Sequence, residues 1–222
     1  MRQSQKRTQK LPKKDGKAAR TRKKLLDAGV EMFAKYGYFG ASTRQIEAAA
    51  KVQRNLIIYH FGGKDDFWKA CMEHLFQQFV GTTLSELMSI PYEKPEQRLR
   101  ELIMRYFRAS AEHPEIHQIF VEEGKRDDWR LQWLVDKYAK QFYAVVVGLY
   151  EQARELGIAP DIGPVGFFYV LTGSSAVFSL APECRQLTGK DPMTDAMIEE
   201  HATNIAKLLI REVPRKKTKA SN

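Results

Sequence analysis

The fold is decided by residues 42–64, which read STRQIEAAAKVQRNLIIYHFGGK. Ser42 and Gln45 have the spacing of a capping box, in which two side chains satisfy free N–H groups at the start of a helix. This pattern predicts a short helix over residues 43–50. A tight connection then leads to a second short helix over residues 54–61, which two glycines end.

A longer amphipathic helix is predicted just before this stretch, over residues 18–36. Its apolar residues recur at helical spacing and form one face, and Gly37 is placed to end the helix. The residues of this face are Leu25, Leu26, Gly29, Met32, Phe33 and Tyr36. Three helices with a tight turn before the third form a helix-turn-helix, whose third helix fits the major groove of B-DNA.

Residues that read DNA bases are expected near the start of the third helix. Gln53, Arg54 and Asn55 stand there, and side chains of these types make paired hydrogen bonds with guanine or adenine. Leu56 and Ile58 are expected to point outward from the helical core. An apolar contact with thymine methyl groups would account for them.

Three segments of this region resemble the DNA-binding domain of the TetR family of transcriptional regulators. They are residues 42–52, the triplet Tyr59-His60-Phe61 and the triplet Gly63-Lys64-Asp65. The resemblance covers residues 18–70 and implies a DNA-binding domain followed by an all-helical regulatory domain. It also implies that Thr43, Tyr59 and Lys64 hold DNA phosphates.

The sequence departs from the family pattern in the turn and in the third helix. The family usually has Gly where Lys51 stands, Ser where Gln53 stands and Tyr where Ile58 stands, with small residues near Asn55. These departures concern the DNA sequence that is recognised rather than the fold. The predicted DNA-binding residues are Thr43, Arg44, Lys51, Gln53, Arg54, Asn55, Leu56, Ile58, Tyr59, His60 and Lys64.

Positive charge is concentrated at the N-terminus. The chain has 222 residues and a formal net charge of +9, whereas residues 1–24 hold eleven Lys or Arg against one acid, Asp15. Such a tail neutralises DNA phosphates, which adds salt-dependent affinity without sequence information. The alternatives are a solvated, disordered tail or a remnant of an expression vector. The basic stretch over residues 215–219 is interpreted as a solvated terminus.

The cysteines and one uncharged segment bear on the location of the protein. Cys71 and Cys184 are the two cysteines and lie far apart, which excludes a disulfide framework and favours a reducing, cytoplasmic setting. No apolar stretch follows the basic tail, so the pattern of a secretory signal is missing. Residues 162–181 are uncharged and long enough for a membrane span, but their Gly, Pro and Ser content favours a helix buried in protein.

The rest of the chain also has helical periodicity. Further helices are predicted over residues 65–90, 95–112, 114–124, 127–156, 162–181 and 193–212. The expected fold is therefore all-α with about nine helices. The predicted domains are a basic disordered tail over 1–17, the helix-turn-helix domain over 18–63, a ligand-binding and dimerisation domain over 64–213 and a basic disordered C-terminus over 214–222.

The family resemblance implies a homodimer in which the last two helices form a four-helix bundle with their counterparts. The uncharged segment suits such an interface, because its small residues permit close approach and its large apolar residues supply contact area. Two-fold symmetry then predicts a palindromic DNA site. The predicted interface residues are Gly166, Val170, Gly173, Val177, Ile198, Ala202, Ile205 and Leu209.

A pocket for a small-molecule effector is expected by family analogy in the same domain, where aromatic residues are frequent. Aromatic rings line apolar cavities, and tyrosine hydroxyls orient a ligand in them. The alternative is that most of these rings are ordinary core. The predicted ligand-binding residues are Phe107, Phe120, Trp129, Trp133, Phe142, Tyr143 and Phe168.

The sequence gives no support for an enzyme or for a metal centre. It contains no GxSxG, HExxH, phosphate-loop or GxGxxG motif. His113 and His117 have i, i+4 spacing, but His113 precedes Pro114 and is expected outside the helix that holds His117. We therefore expect no enzymatic activity, no cofactor and no metal ion.

Two functions of different classes fit these observations. The first is a homodimeric repressor that binds a palindromic operator and is released by a small-molecule effector. The second is a helical architectural or partner-binding protein that the basic tail attaches to nucleic acid without sequence preference. The capped helix-turn-helix with Arg54, Asn55 and Tyr59 favours the first.

Overall fold

The computed structural model describes residues 13–88, 91 and 93–211, with the side chains of 16–77, 91 and 93–211. Every regular element within these ranges is helical, which confirms the predicted all-α fold. The parts of the predicted termini over residues 1–12 and 212–222 lie outside the described residues. The described chain divides into two compact units, the first ending at His74 and the second beginning at Leu75.

Four helices begin in the first unit. They are α1 (Lys13–Gly40), α2 (Thr43–Ala49), α3 (Leu56–Phe61) and α4 (Lys64–Met88), the last of which continues into the second unit. Gly37 interrupts α1 with φ 67° and ψ 173°, at the position where the sequence predicts the helix end. The helix begins earlier than predicted, since residues 13–17 are helical rather than part of a disordered tail.

The first unit has a small apolar core built from the predicted face of α1. Leu25 and Phe33 of α1 are buried together with Ile46, Ile57 and Trp68. Helices α1 and α4 approach closely at Gly29, where an added Cβ would lie 2.5 Å from Cys71 Sγ and 2.6 Å from Phe67 Cζ. A side chain at Gly29 would therefore push the two helices apart.

The second unit is a bundle of eight further α-helices. They are α5 (Pro95–Glu112), α6 (Glu115–Glu123), α7 (Trp129–Leu134), α8 (Lys140–Glu155), α9 (Pro164–Gly173), α10 (Ala176–Ser179), α11 (Ala181–Thr188) and α12 (Asp195–Leu209). A π-helical segment, Val135–Ala139, joins α7 to α8. Helix α5 packs against α8 and α12 around the largest buried apolar cluster of the described residues.

Two long predicted helices are interrupted in the structure. The helix predicted over residues 127–156 is α7, the π-helical segment and α8. The helix predicted over 162–181 is wrong as one element, because the helical path breaks between α9 and α10. Serine side chains add to the backbone hydrogen bonds at this break. Ser174 Oγ donates to the Val170 carbonyl at 2.5 Å, and Ser175 Oγ donates to the Thr172 carbonyl at 2.7 Å, while the backbone N–H groups of both serines donate to the same carbonyls. Helix α11 was not predicted.

A membrane span was considered for the uncharged segment. Within residues 13–88 and 93–211, no single helix is long and apolar enough to cross a membrane. One pair of helical stretches passes on length and composition alone, Pro164–Ser179 with Ala181–Thr188, and it is bent by 76°.

A buried ionic cluster ties α6 to α7. Arg130 Nε donates to Glu123 Oε2 at 2.7 Å, and both side chains are almost completely buried. Arg130 Nη2 donates to Asp128 Oδ2 at 2.6 Å, while Asp128 Oδ1 accepts from the backbone N–H of Arg130 and caps α7. This cluster was not predicted from the sequence.

Candidate nucleic-acid interface

The capping box at the start of α2 is present as predicted. Ser42 Oγ accepts from the backbone N–H of Gln45 at 3.2 Å, and Gln45 Oε1 accepts from the backbone N–H of Ser42 at 3.0 Å. Both donors would otherwise be free in the first turn. The box fixes where α2 begins and so places Thr43 at its first helical position.

A buried glutamate that sequence analysis missed joins α2 to α3. Glu47 lies in α2, and its Oε1 accepts from the backbone N–H of Ile57 at 2.9 Å. Ile57 is in the first turn of α3, where helix donors lack intrahelical partners. The carboxylate therefore caps α3 from a neighbouring helix, and its negative charge suits the helix N-terminus.

The turn between α2 and α3 contains two residues in the left-handed region. Lys51 has φ 54° and Asn55 has φ 67°. The Lys51 N–H donates to the Ala48 carbonyl and the Val52 N–H donates to the Glu47 carbonyl, which is a Schellman motif at the end of α2. Glycine is the usual residue at such a position, so Lys51 adds a positive charge to the turn at the cost of backbone strain.

The third helix is shorter than predicted. It begins at Leu56 rather than at residue 54, because the left-handed Asn55 is its N-cap. Gln53, Arg54 and Asn55 therefore lie in the turn before α3, and all three are exposed. They stand next to the start of the helix, as an interaction with DNA bases requires.

The two faces of α3 differ in burial. Ile57 is completely buried, whereas Ile58 and Tyr59 are 58% and 79% exposed. Leu56 and His60 are half-buried, and the His60 ring meets the Tyr59 ring edge-on at 4.9 Å. The outward orientation expected for Ile58 is therefore present. An isoleucine and a tyrosine this exposed on a short helix form an apolar surface ringed by polar residues.

The remaining predicted DNA-binding residues surround this helix in sequence. Arg44 and Lys51 are exposed, and Thr43 and Lys64 are half-buried. Lys64 is the first residue of α4, and its Nζ lies 4.3 Å from the centre of the Tyr38 ring.

The aromatic residues predicted to bind a ligand fall into two groups. Phe107, Phe142, Tyr143 and Phe168 belong to one chain of ring contacts with Tyr106. Phe120 and Trp133 belong to another, through Phe76 and Tyr138, whose rings stack at 4.0 Å. Phe107 is completely buried in the main core, whereas Trp129 is 39% exposed.

The predicted dimer-interface residues differ in how far they are buried. Ala202 and Leu209 are buried by the core of their own chain, so in this conformation they pack internally, and their assignment to an interface is corrected. Val177, Ile198 and Ile205 are partly buried against the same core. Gly166 is half-buried, and Val170 and Gly173 are exposed.

The histidines do not gather at one place. His113 is the C-cap of α5 and His117 lies in α6, where its Nδ1 is 2.9 Å from Ser179 Oγ. Burial lowers the pKa of His117. Among the described side chains, those of residues 16–77, 91 and 93–211, no three His, Cys, Asp or Glu are grouped to hold a metal ion.

His201 corrects one interpretation of the sequence. The Glu199-Glu200-His201 triplet was interpreted as a solvated edge, but the His201 ring packs between Phe107 and Phe178. Its Nε2 lies 2.9 Å from the Ser174 carbonyl at the α9–α10 break.

Comparison with known proteins finds a family model that matches part of the first unit. Residues 25–71 match the model of "Bacterial regulatory proteins, tetR family". This match confirms the resemblance found in the sequence and covers the helix-turn-helix and the start of α4.

Two curated relatives extend the similarity. The HTH-type transcriptional repressor NicS of Pseudomonas putida is 32% identical over 117 residues, which are 53% of this chain and 54% of that protein. The repressor Rv3405c of Mycobacterium tuberculosis is 33% identical over 87 residues, covering 39% and 43%. The chain therefore spans about half the length of the curated relatives it matches. Both relatives are named as transcriptional repressors.

Solved structures share the whole fold. AibR in complex with isovaleryl coenzyme A and operator DNA superimposes with a TM-score of 0.68 at 19% identity, covering 85% of this chain and 97% of that one. HlyIIR, a hemolysin II transcriptional regulator, gives a TM-score of 0.62 at 18% identity over 88% and 99%. At these identities the likeness concerns the fold.

Proposed function

We propose that this chain, whose residues 25–71 belong to the tetR family of bacterial regulatory proteins, is a homodimeric repressor that binds a palindromic operator and is released by a small-molecule effector. The proposal keeps the predicted cytoplasmic location.

The DNA-reading surface is the best supported part, and the burial pattern of α3 carries it. The helix buries Ile57 and exposes Ile58 and Tyr59, while Glu47 holds its first turn. A short helix held on one face and exposed on the other fits the major groove. Arg54 and Asn55 precede it in an exposed turn, where paired hydrogen bonds to guanine and adenine supply specificity.

Phosphate contacts position this surface without reading sequence. Thr43 at the start of α2 and Lys64 at the start of α4 stand at helix N-termini, where backbone N–H groups also attract anions. Arg44 and Lys51 add exposed positive charge close to α3 in sequence. These four residues and Tyr59 are the proposed phosphate contacts.

The homodimer is supported by exposed apolar residues on the helices nearest the C-terminus. Val165 and Tyr169 are one turn apart on α9 and are 58% and 68% exposed, and Leu208 on α12 is 70% exposed. Exposed apolar residues of this size mark interaction surfaces. We place the interface on these residues with Val170 and Gly173, and we leave Ala202 and Leu209 in the core. Two-fold pairing makes a palindromic operator the matching DNA site.

The two aromatic groups of the second unit, around Tyr106 and around Phe76, support a binding site for the effector there. Both contain partly buried rings next to polar atoms, such as the Tyr106 hydroxyl, which lies 3.2 Å from Ser175 Oγ. Rings with a few oriented polar groups bind small apolar or amphipathic molecules.

The decisive experiment selects duplexes from a randomised DNA pool with the full chain at physiological salt, where binding through the tail alone is weak. The expected result is enrichment of a palindrome with half-sites spaced in whole helical turns. Recovery without a shared motif, and affinity that collapses as salt rises, would favour the nonspecific architectural protein instead. Removal of residues 1–12 tests the contribution of the basic tail. It should weaken binding to all DNA sequences alike and reduce the dependence of affinity on salt.

A further inference from the structure

Tyr38 lies near the end of α1, directly after the interruption at Gly37, and is held on one side by the core. Its ring stacks on the buried Phe33 ring, with 6.2 Å between centres and 12° between planes. It also meets Phe39 edge-on at 5.3 Å. A ring held in this way has a defined orientation, so that a group placed over its face is held as well.

The group over the Tyr38 face is the Lys64 ammonium, 4.3 Å from the ring centre. This distance is within the range of a cation–π interaction, which favours one position of an otherwise flexible side chain. Lysine loses much rotamer freedom when it is held, so a held lysine binds a phosphate at a smaller entropic cost than a free one.

The Tyr38 hydroxyl contacts a second residue in the first turn of α4, next to Lys64. It donates a hydrogen bond to Asp65 Oδ1. Asp65 follows Lys64 in α4, and its carboxylate would repel a phosphate or compete with it for the lysine. The hydrogen bond draws this carboxylate to the hydroxyl end of the ring, while the ring face holds the ammonium.

We infer that Tyr38 is a positioning residue for phosphate binding, which holds Lys64 ready for the DNA backbone and keeps Asp65 from pairing with it. The inference rests on the proposed function, in which Lys64 contacts a phosphate. In this proposal Tyr38 acts on the phosphate through Lys64. Its contribution is independent of DNA sequence because a phosphate contact carries no base information.

A double-mutant cycle on the full chain tests the coupling. Operator affinity is measured for the wild type, Tyr38→Leu, Lys64→Ala and the double variant. Tyr38→Leu should weaken binding about threefold to tenfold. Adding it to Lys64→Ala should cause a smaller further loss, no more than the twofold to threefold that release of Asp65 brings, since the ring then has no lysine to hold. Additive losses, or unchanged affinity of Tyr38→Leu, would overturn the inference.

A matched control comes from a second Lys–Tyr pair on α1. Lys35 Nζ lies 5.2 Å from the Tyr36 ring centre, and Tyr36 is exposed. Tyr36→Leu removes a ring of the same type from the same unit. It should leave both the affinity and the Lys64 coupling unchanged, which excludes a general effect of losing a tyrosine.

The role of Asp65 is tested by restoring DNA affinity with a second substitution. Tyr38→Phe keeps the ring but releases Asp65, so affinity should fall about twofold to threefold, as loss of one hydrogen bond allows. Asp65→Asn in that background should restore it. Asp66→Asn removes the same negative charge at the neighbouring residue and is the control, because Asp66 pairs with Lys69 rather than with Tyr38. Equal rescue by both would overturn this arm.

The cycle is run on the selected palindrome and, at low salt, on a random duplex of equal length. If the chain selects no palindrome, the proposed function fails, and the cycle on the random duplex still decides the coupling. If a palindrome is selected but the cycle is additive on both duplexes, the positioning role fails alone.

Discussion

The two units use their apolar residues differently. In the first unit, the residues predicted to contact DNA lie on or near the surface of a small core, with Ile58 and Tyr59 strongly exposed. In the second unit, several residues predicted to face a partner or a ligand, such as Phe107 and Ala202, form the chain's own core. Periodicity identifies the apolar face of a helix but does not say which layer covers it. Substitutions should therefore change binding in the first unit and folding in the second.

The largest effect is expected from the buried ion pair of the second unit. Glu123→Ala removes the buried carboxylate partner of the Arg130 guanidinium and leaves the more exposed Asp128, which should destabilise the protein by about 3–5 kcal/mol. Urea unfolding followed by tryptophan fluorescence measures the loss. The neighbouring Glu122 pairs with Lys125 at the surface, so Glu122→Ala should cost less than about 1 kcal/mol. Equal losses in the two variants would show that burial does not determine how much these ion pairs contribute to stability.

In the first unit, Arg54→Ala should act on binding alone. Its side chain is exposed in the turn before α3, so the unfolding temperature should not change. Affinity for the selected palindrome should fall by about 1–3 kcal/mol, and selectivity should relax at the contacted base pair. Fluorescence anisotropy with single-base variants of the operator measures both.

The control is Lys35→Ala, which removes one positive charge from α1 outside the proposed interface. If Arg54→Ala weakened binding to every duplex equally, Arg54 would be a phosphate contact, and the assignment of the base-reading residues would be wrong.

Lys51 allows stability and DNA binding to be tested separately in the first unit, because its backbone conformation affects the first and its charge affects the second. Lys51→Gly relieves a left-handed φ of 54° and should be about 1 kcal/mol more stable than Lys51→Ala, which keeps the strain. Both variants lose the same charge, so both should weaken DNA binding equally. Thermal unfolding and anisotropy on the pair test this. A difference in affinity would mean that the turn geometry itself takes part in recognition.

Local signals explain which features could be predicted. The capping box at Ser42 and the break at Gly37 depend on residues close in sequence, so the helix-turn-helix could be predicted with its boundaries nearly right. The left-handed Asn55 moved the start of α3 by two residues, because the turn could have been satisfied in several ways.

Features that depend on distant partners could not be predicted. Glu47 accepts from Ile57 only after α2 and α3 pack, and Arg130 pairs with Glu123 across a helix boundary. The break after Gly173 is stabilised by neighbouring serines and contacted by His201 from α12, so an uncharged run with no strong stop signal was interpreted as one helix.

The smallest effect is expected at an ion pair of the first unit that is only partly buried. Asp27 on α1 accepts from Lys23 Nζ at 2.7 Å, and its Oδ1 lies 2.8 Å from His74 Nε2 on α4. Burial raises the pKa of Asp27, but the hydrogen bonds and charges of Lys23 and His74 outweigh it and hold the pKa below the ordinary 3.8. The folded state therefore binds this proton less readily than the unfolded state.

The sign of the pH dependence follows. The stability that Asp27 contributes is complete above its unfolded pKa, near 3.8, and is lost as pH falls through the lower folded value. Asp27→Asn should melt slightly below the wild type at neutral pH, and the two melting temperatures should converge in acid. Lys23→Met, which removes one of the two partners, should give an intermediate curve. Melting temperatures that stay equally far apart down to low pH would mean that the contact between α1 and α4 is stabilised by packing rather than by charge. It would then resemble the Gly29 contact, which holds the same two helices by close approach.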